Sequence, residues 1–144
     1  MRILITGSEG YIGSVLVPLA RAEGHDVVGL DAGWFAHCTF GPPAGETSYV
    51  RADIRDIRRT DLCGFDAVLH LAALSNDPLG SIDGDVTFDI NHRATVRLAR
   101  LAKEAGVPRY AVNRISALFC LSCFAAVTCG SSALTIVGTP VRLR

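Results

Sequence analysis

Met1-Arg-Ile-Leu-Ile-Thr-Gly-Ser-Glu-Gly-Tyr-Ile-Gly-Ser14 decides the fold. Ile3, Leu4 and Ile5 form a short apolar run closed by Thr6 and Gly7, the pattern of a parallel strand buried on both faces. Past Gly13 the apolar residues Val15, Leu16, Leu19 and Ala20 recur at helical spacing. Between strand and helix lie Gly7, Gly10 and Gly13, one glycine every three residues. In that setting Gly7 permits a tight turn, Gly10 lets the backbone approach a pyrophosphate, and Gly13 lets the helix pack close to the strand. The helix N-terminus adds unpaired N–H groups and a partial positive charge.

A glycine-rich turn is often no more than a turn, so its context matters. A second strand, Val27-Val-Gly-Leu30, ends in Asp31, 18 residues after Gly13. A carboxylate at that place accepts the ribose hydroxyls of an adenosine. The first helix is expected from Tyr11 to Glu23, stopping at Gly24, with Pro18 as a misfit that kinks it or loosens a hydrogen bond. Residues 32–47 hold three glycines and two prolines and read as a loop. Trp34, Phe35 and Phe40 either pin that loop to the surface or wall the adenine or a substrate.

The chain continues in the same alternation. Residues 48–56 read as a third strand ending in acidic turn residues, where Asp53 accepts from an adenine amino group and Ile54 covers the ring. The plainer alternative is that Asp53 or Asp56 caps a short helix. Residues 65–73 form a nearly continuous apolar fourth strand, with the small pair Ala72 and Ala73 at its end and His70 as a core-facing, hydrogen-bonded side chain. The longest helical pattern runs from Asp85 to Ala105, with Ile90, Ala94, Leu98, Leu101, Ala102 and Ala105 on one stripe. Asn91 lies beside that stripe, its amide expected to be buried and paired. Residues 109–112 open a fifth strand. Right-handed crossovers then give an α/β fold, a Rossmann-type doubly wound parallel sheet of order 3-2-1-4-5, with its crevice between strands 1 and 4.

Hydrophobic residues make up 49% of the 144, and 14 basic residues balance 14 acidic ones. That size supports one domain with a real core, and the charge balance argues against a nucleic-acid partner. The balance is uneven along the chain, however: residues 115–141 carry no charge at all. Five cysteines, an odd number without a secretory signal, do not suggest a disulfide framework. Cys120, Cys123 and Cys129 have no fourth ligand nearby and the four histidines are scattered, so no metal site is expected.

Thr6-Gly-Ser-Glu-Gly-Tyr-Ile-Gly13, Gly29-Leu-Asp31, Ala52-Asp-Ile-Arg-Asp56, His70-Leu-Ala-Ala73 and Asp89-Ile-Asn91 together resemble the extended short-chain dehydrogenase/reductase family, the NAD-dependent epimerases and dehydratases of nucleotide sugars. The resemblance covers about residues 1–110. It implies that Gly7, Gly10 and Gly13, with the Tyr11 and Ile12 amides, hold the pyrophosphate of NAD. Asp31 would hold the adenosine ribose and select against a 2′-phosphate, and Asp53 and Ile54 would contact adenine. Leu71, Ala72, Ala73 and Leu74 would line the path to the nicotinamide ribose, and Asn91 would organise the long helix beside the site.

The family's chemistry also needs a Ser or Thr after strand five and a Tyr-x-x-x-Lys on the following helix, where lysine lowers the tyrosine's pKa. The only tyrosines here are Tyr11, Tyr49 and Tyr110, and the only lysine is Lys103. No catalytic residue is therefore assigned. The expectation is an NAD-binding domain over residues 1–112, truncated and inactive alone, followed by an uncharged apolar tail over residues 113–144. The nucleotide-sugar site is implied by the family but absent. Only one of two dimer helices is present, which leaves a homodimer doubtful, and an open fifth strand predicts poor solubility. A cytoplasmic location follows from the reducing compartment such a fold occupies. A non-catalytic NAD-binding module and a membrane-tethered domain are the alternatives.

The tail has three readings. It is long enough to span a bilayer but is diluted by Ser, Thr, Gly and Cys. It could instead pack over strand five. The loss of acids and of every expected motif at one point favours a third, a change of reading frame near residues 111–114. Translating the gene in its other frames tests that, with Tyr-x-x-x-Lys expected downstream.

Overall fold

A computed structural model describes residues 1–36, 38, 48–74 and 83–112. The expectations for Phe40, for Cys120, Cys123 and Cys129, and for the tail over residues 113–144 lie outside the described residues. Five parallel strands, β1 (Arg2–Thr6), β2 (Asp26–Asp31), β3 (Ser48–Arg51), β4 (Ala67–His70) and β5 (Arg109–Val112), form one sheet in the order β3-β2-β1-β4-β5. This is the Rossmann-type topology and strand order anticipated above. Central β1 pairs on one side with β2, Ile5 opposite Gly29, and on the other with β4, Thr6 opposite His70.

Alternation along the strands sorts the core into two unequal halves. Leu4, Val28, Leu30, Val68, Tyr110 and Val112 point to one face, where Ile54, Ile57, Leu62, Phe65, Ile90, Ala94, Leu98 and Ala102 cover them. Ile3, Ile5, Val27 and Ala67 point to the other, where Val17 of helix α1 (Tyr11–Ala22) covers them. Helix α1 ends at Gly24, whose φ of +79° is a left-handed conformation that closes the helix. Pro18 sits inside α1 with its ring exposed, and it removes the N–H that Ser14's carbonyl would otherwise accept.

Three elements differ from the sequence expectation. The third strand stops at Arg51, all four residues of β3 are exposed, and residues 53–56 form a turn closed by Asp56 N–H on the Asp53 carbonyl at 3.0 Å. The fourth strand is shorter too: it begins at Ala67, and after a last bond from Leu71 N–H to the Thr6 carbonyl at 3.1 Å the chain passes into the crevice wall. The long helix is also not uniform. It divides into α2 (Gly84–Phe88), a π-helical segment (Asp89–Ala94) and α3 (Thr95–Glu104). The wider π turn buries two adjacent columns at once, Ile90 with Asn91 and Ala94 with Thr95. A short 3₁₀ turn, Arg59–Leu62, drives the fully buried Leu62 into the crowded core.

Candidate cofactor site

The glycine turn is built by crowding. A Cβ on Gly13 would stand 2.2 Å from the Gly7 carbonyl oxygen and 2.7 Å from Ser8 Cα. On Gly7, where φ is +72°, it would stand 2.7 Å from the Ala72 backbone nitrogen. Neither neighbour is a flexible side chain, so both positions require glycine. Gly10 differs: its Cβ would meet only the Gly7 oxygen at 3.2 Å, and the residue is otherwise open. Gly7 and Gly13 thus close the backbone on itself, whereas Gly10 leaves a space that a ligand can approach.

Asp31, at the end of β2, is aimed by two backbone donors. Its Oδ2 accepts from Glu9 N–H at 3.0 Å and its Oδ1 from Gly33 N–H at 2.9 Å. The carboxylate is thereby bound to the glycine turn itself. Beside it, Arg51 lies 4.0 Å from the Glu9 carboxylate. Tyr49 donates to the Asp31 carbonyl at 3.3 Å, and its phenol is pushed up to about 12, by burial first and then by the Glu9 and Asp31 carboxylates. This end of the cavity therefore gathers two carboxylates, Glu9 and Asp31, beside a single guanidinium.

Asp53 forms an Asx turn. Its Oδ1 accepts from Arg55 N–H at 2.8 Å, and the Arg55 guanidinium donates to Oδ2 at 2.7 Å. That guanidinium holds the Asp53 carboxyl below the usual carboxylate range, against a smaller opposing effect of burial. Arg55 also reaches Asp89 at 3.5 Å, tying the turn to the π segment.

These elements surround one cavity of about 290 Å³ at the C-terminal ends of β1, β2 and β4. Gly7, Gly10, Tyr11, Ile12, Gly13, Asp31, Asp53, Ile54, Leu71, Ala72 and Ala73, all singled out from the sequence, line it together. Asn91 does not. It is buried behind the wall, where its Nδ2 donates to the Leu74 carbonyl and its Oδ1 accepts from Leu74 N–H, each at 2.8 Å. Its amide is buried and paired as anticipated. Trp34 and Phe35 border the cavity and stay about half exposed, the position of a wall. Sequence reasoning overlooked Glu9, Ala32, Ala52 and Ile90 in the lining. Only Glu9 carried a usable signal, as an acid inside the glycine turn facing a second acid at the end of β2.

The model of the NAD dependent epimerase/dehydratase family matches residues 3–123. The chain belongs to this family. It is 37% identical over 113 residues to the UDP-glucose 4-epimerase of Mycolicibacterium smegmatis, covering 74% of this chain and 36% of that protein. Among solved structures, the NAD-dependent NDP-hexosamine 5,6-dehydratase TunA of tunicamycin biosynthesis superposes with a TM-score of 0.70 at 29% identity, covering 78% of this chain and 36% of the other. MoeE5 in complex with UDP-glucose and NAD superposes at 0.66 with 32% identity, over 78% and 36%. The chain thus spans just over a third of the length of each of these three proteins. The family's cofactor is NAD. Among the described residues, no helix is long and apolar enough to cross a membrane.

Proposed function

We propose that the crevice between β1 and β4 holds NAD, and that this chain is the NAD-binding portion of a nucleotide-sugar epimerase/dehydratase-like protein without the proton-abstracting pair. The single observation behind the reading is the joining of the glycine turn to the Asp31 carboxylate by the Glu9 N–H on the rim of one cavity. Gly7, Gly10 and Gly13, with the Tyr11 and Ile12 amides, would take the pyrophosphate, for which the space above Gly10 is open. Asp31 would take the adenosine ribose, and the Glu9 carboxylate beside it adds to the repulsion of a 2′-phosphate. Ile54 and Asp53 would meet adenine, with Asp53 sharing its oxygens between the base and Arg55. Leu71, Ala72 and Ala73 would face the nicotinamide ribose, and Asn91 supports them from behind.

Bound NAD supplies the hydride acceptor for oxidation of a sugar carbon. The chain's own residues bind and orient it. Two placements support a missing base. Tyr110 is buried in β5, its hydroxyl 3.5 Å from the Thr95 carbonyl, and Lys103 is exposed on α3. On this reading residues 1–112 are the NAD-binding domain, residues 113–144 are a separate tail, and the protein works in the cytoplasm. Nucleotide sugars, the compounds named for the longer relatives, are the substrate class this reading implies for the whole protein.

Titration of the full chain with NAD, followed by calorimetry and thermal melting, tests the reading. Saturable binding is expected. Asp31→Asn should weaken it roughly ten- to a hundredfold, as loss of a charge-assisted hydrogen bond does, and should relax discrimination against NADP. Absence of NAD binding refutes the site. NAD-dependent turnover of UDP-glucose that survives Tyr110→Phe refutes the missing base.

A further inference from the structure

His70 is completely buried on the crowded face of the sheet and does not line the cavity. Burying an imidazole with both nitrogens engaged is costly unless every hydrogen finds an acceptor. Its Nδ1 lies 2.7 Å from Thr6 Oγ1, and its Nε2 lies 2.9 Å from Thr95 Oγ1. The outer bonds determine the direction of the chain. Thr95 Oγ1 donates to the Asn91 carbonyl at 2.9 Å, so toward His70 it accepts, and Nε2 carries the proton. Nδ1 is then bare and accepts from the Thr6 hydroxyl, whose oxygen in turn accepts from Ala72 N–H at 3.4 Å. The opposite tautomer would strip the Thr6 hydrogen of its acceptor and draw the Thr95 hydrogen away from the Asn91 carbonyl.

The circuit closes on the crevice. It starts at Ala72 N–H, runs through Thr6, His70 and Thr95 to Asn91, and returns through the Asn91 carboxamide to both polar groups of the Leu74 backbone. The segment between those two anchor points is the wall opposite the glycine turn. The π-helical segment makes this possible, because it turns Asn91 and Thr95 inward beside Ile90 and Ala94.

We infer that His70, as its Nε2–H tautomer, is a positioning residue that holds residues 71–74 in place for the cofactor, an assignment whose functional half rests on the NAD reading above. Desolvation agrees with a neutral ring, pushing its pKa down to about 4.

The test uses the full chain without added NAD. In a ¹⁵N-histidine-labelled sample at neutral pH, the His70 ring should carry a proton on Nε2 and none on Nδ1. A proton on Nδ1, or on both nitrogens, overturns the inference. Thr6→Val, nearly isosteric within β1, should speed hydrogen exchange of the Ala72 and Leu74 amides roughly tenfold, the effect of one lost buried hydrogen bond. Thr6→Ser should restore protection. Unchanged exchange in Thr6→Val overturns the positioning role. NAD titration of the same proteins then separates the two readings. If the ring and the amides behave as expected and no protein binds NAD, the circuit stands and the cofactor assignment falls.

Discussion

The two faces of the sheet are built from the same five strands, yet they are unequal. On one, α3, the π-helical segment and the 3₁₀ turn close over fifteen buried residues, from Leu4 to Val112. On the other, among the described residues, α1 alone covers Ile3, Ile5, Val27 and Ala67 with Val17, while Arg109 is exposed and Ala111 only half-buried beyond it. The cavity opens where the two meet, at the strand ends. Its glycine turn leads into α1 on the sparse side, and its wall at residues 71–74 is braced by His70, Thr95 and Asn91 on the crowded side. The difference points to a division of labour: the crowded face braces the wall of the cavity, and the sparse one presents the glycine turn.

Substitution in the crowded face should break the fold first. Leu98 is fully buried there, and Leu98→Ala should cost about 2–5 kcal/mol in urea unfolding. A matched pair sharpens the contrast. Val68 and Val27 are both buried in central strands, on the crowded and the sparse face respectively. Val68→Ala should exceed Val27→Ala by about 1 kcal/mol, because a cavity beneath several elements relaxes less than one beneath a single helix. Equal losses would mean that the faces differ in residue count but not in packing.

Acid should also act on the crowded face. His70 meets Thr6 from β1, Thr95 from α3 and the Tyr110 ring from β5, with no carboxylate among these contacts. Its folded pKa of about 4 lies below the unfolded value of 6.5, so the unfolded chain binds the extra proton. The stabilisation is therefore complete above pH 6.5 and is lost as pH falls from 6.5 toward 4, by about 3 kcal/mol in all. Asp53, whose carboxyl is also depressed, adds its loss only below its ordinary range near 3.8. Unfolding measured across that window should therefore show a slope that His70→Gln removes.

Much of this was legible in the sequence because the glycine turn and the apolar strands are local signals. Gly7 and Gly13 stand where the backbone leaves no room for a Cβ, Gly10 stands where the turn is open, and the strand order follows from alternation and handedness. The π segment was not legible. Ile90, Ala94 and Leu98 fit a 3.6-residue period well, and the only hint of a wider turn was Asn91 and Thr95 shadowing Ile90 and Ala94 one position later. The circuit through His70 was hidden for another reason. Its members are 64 and 25 residues apart, and a core histidine shows no preferred partner until β1, β4 and α3 are assembled. Likewise β3 looked like a longer strand because Ala52, Asp53 and Ile54 continue its apolar and acidic pattern. Only the Arg55 contacts reveal why the chain turns there.

The smallest expected effect bears most directly on the sparse face. Val15 and Leu19 stand one helical turn apart on α1 and are 56% and 57% exposed, next to Tyr11 at 93%. An apolar side chain already facing water contributes little to folding, so Leu19→Ser should change stability by no more than about 0.5 kcal/mol. It should also improve solubility, since it interrupts a contiguous apolar patch. A loss above about 1 kcal/mol would mean that the outer face of α1 is covered in solution. Repeating the unfolding over a tenfold range of protein concentration then identifies the cover: a midpoint that rises with concentration indicates a second copy, and a fixed midpoint indicates another part of the same chain. Either result would make the inequality of the two faces a property of the described residues rather than of the folded protein, and Val27→Ala should then cost as much as Val68→Ala.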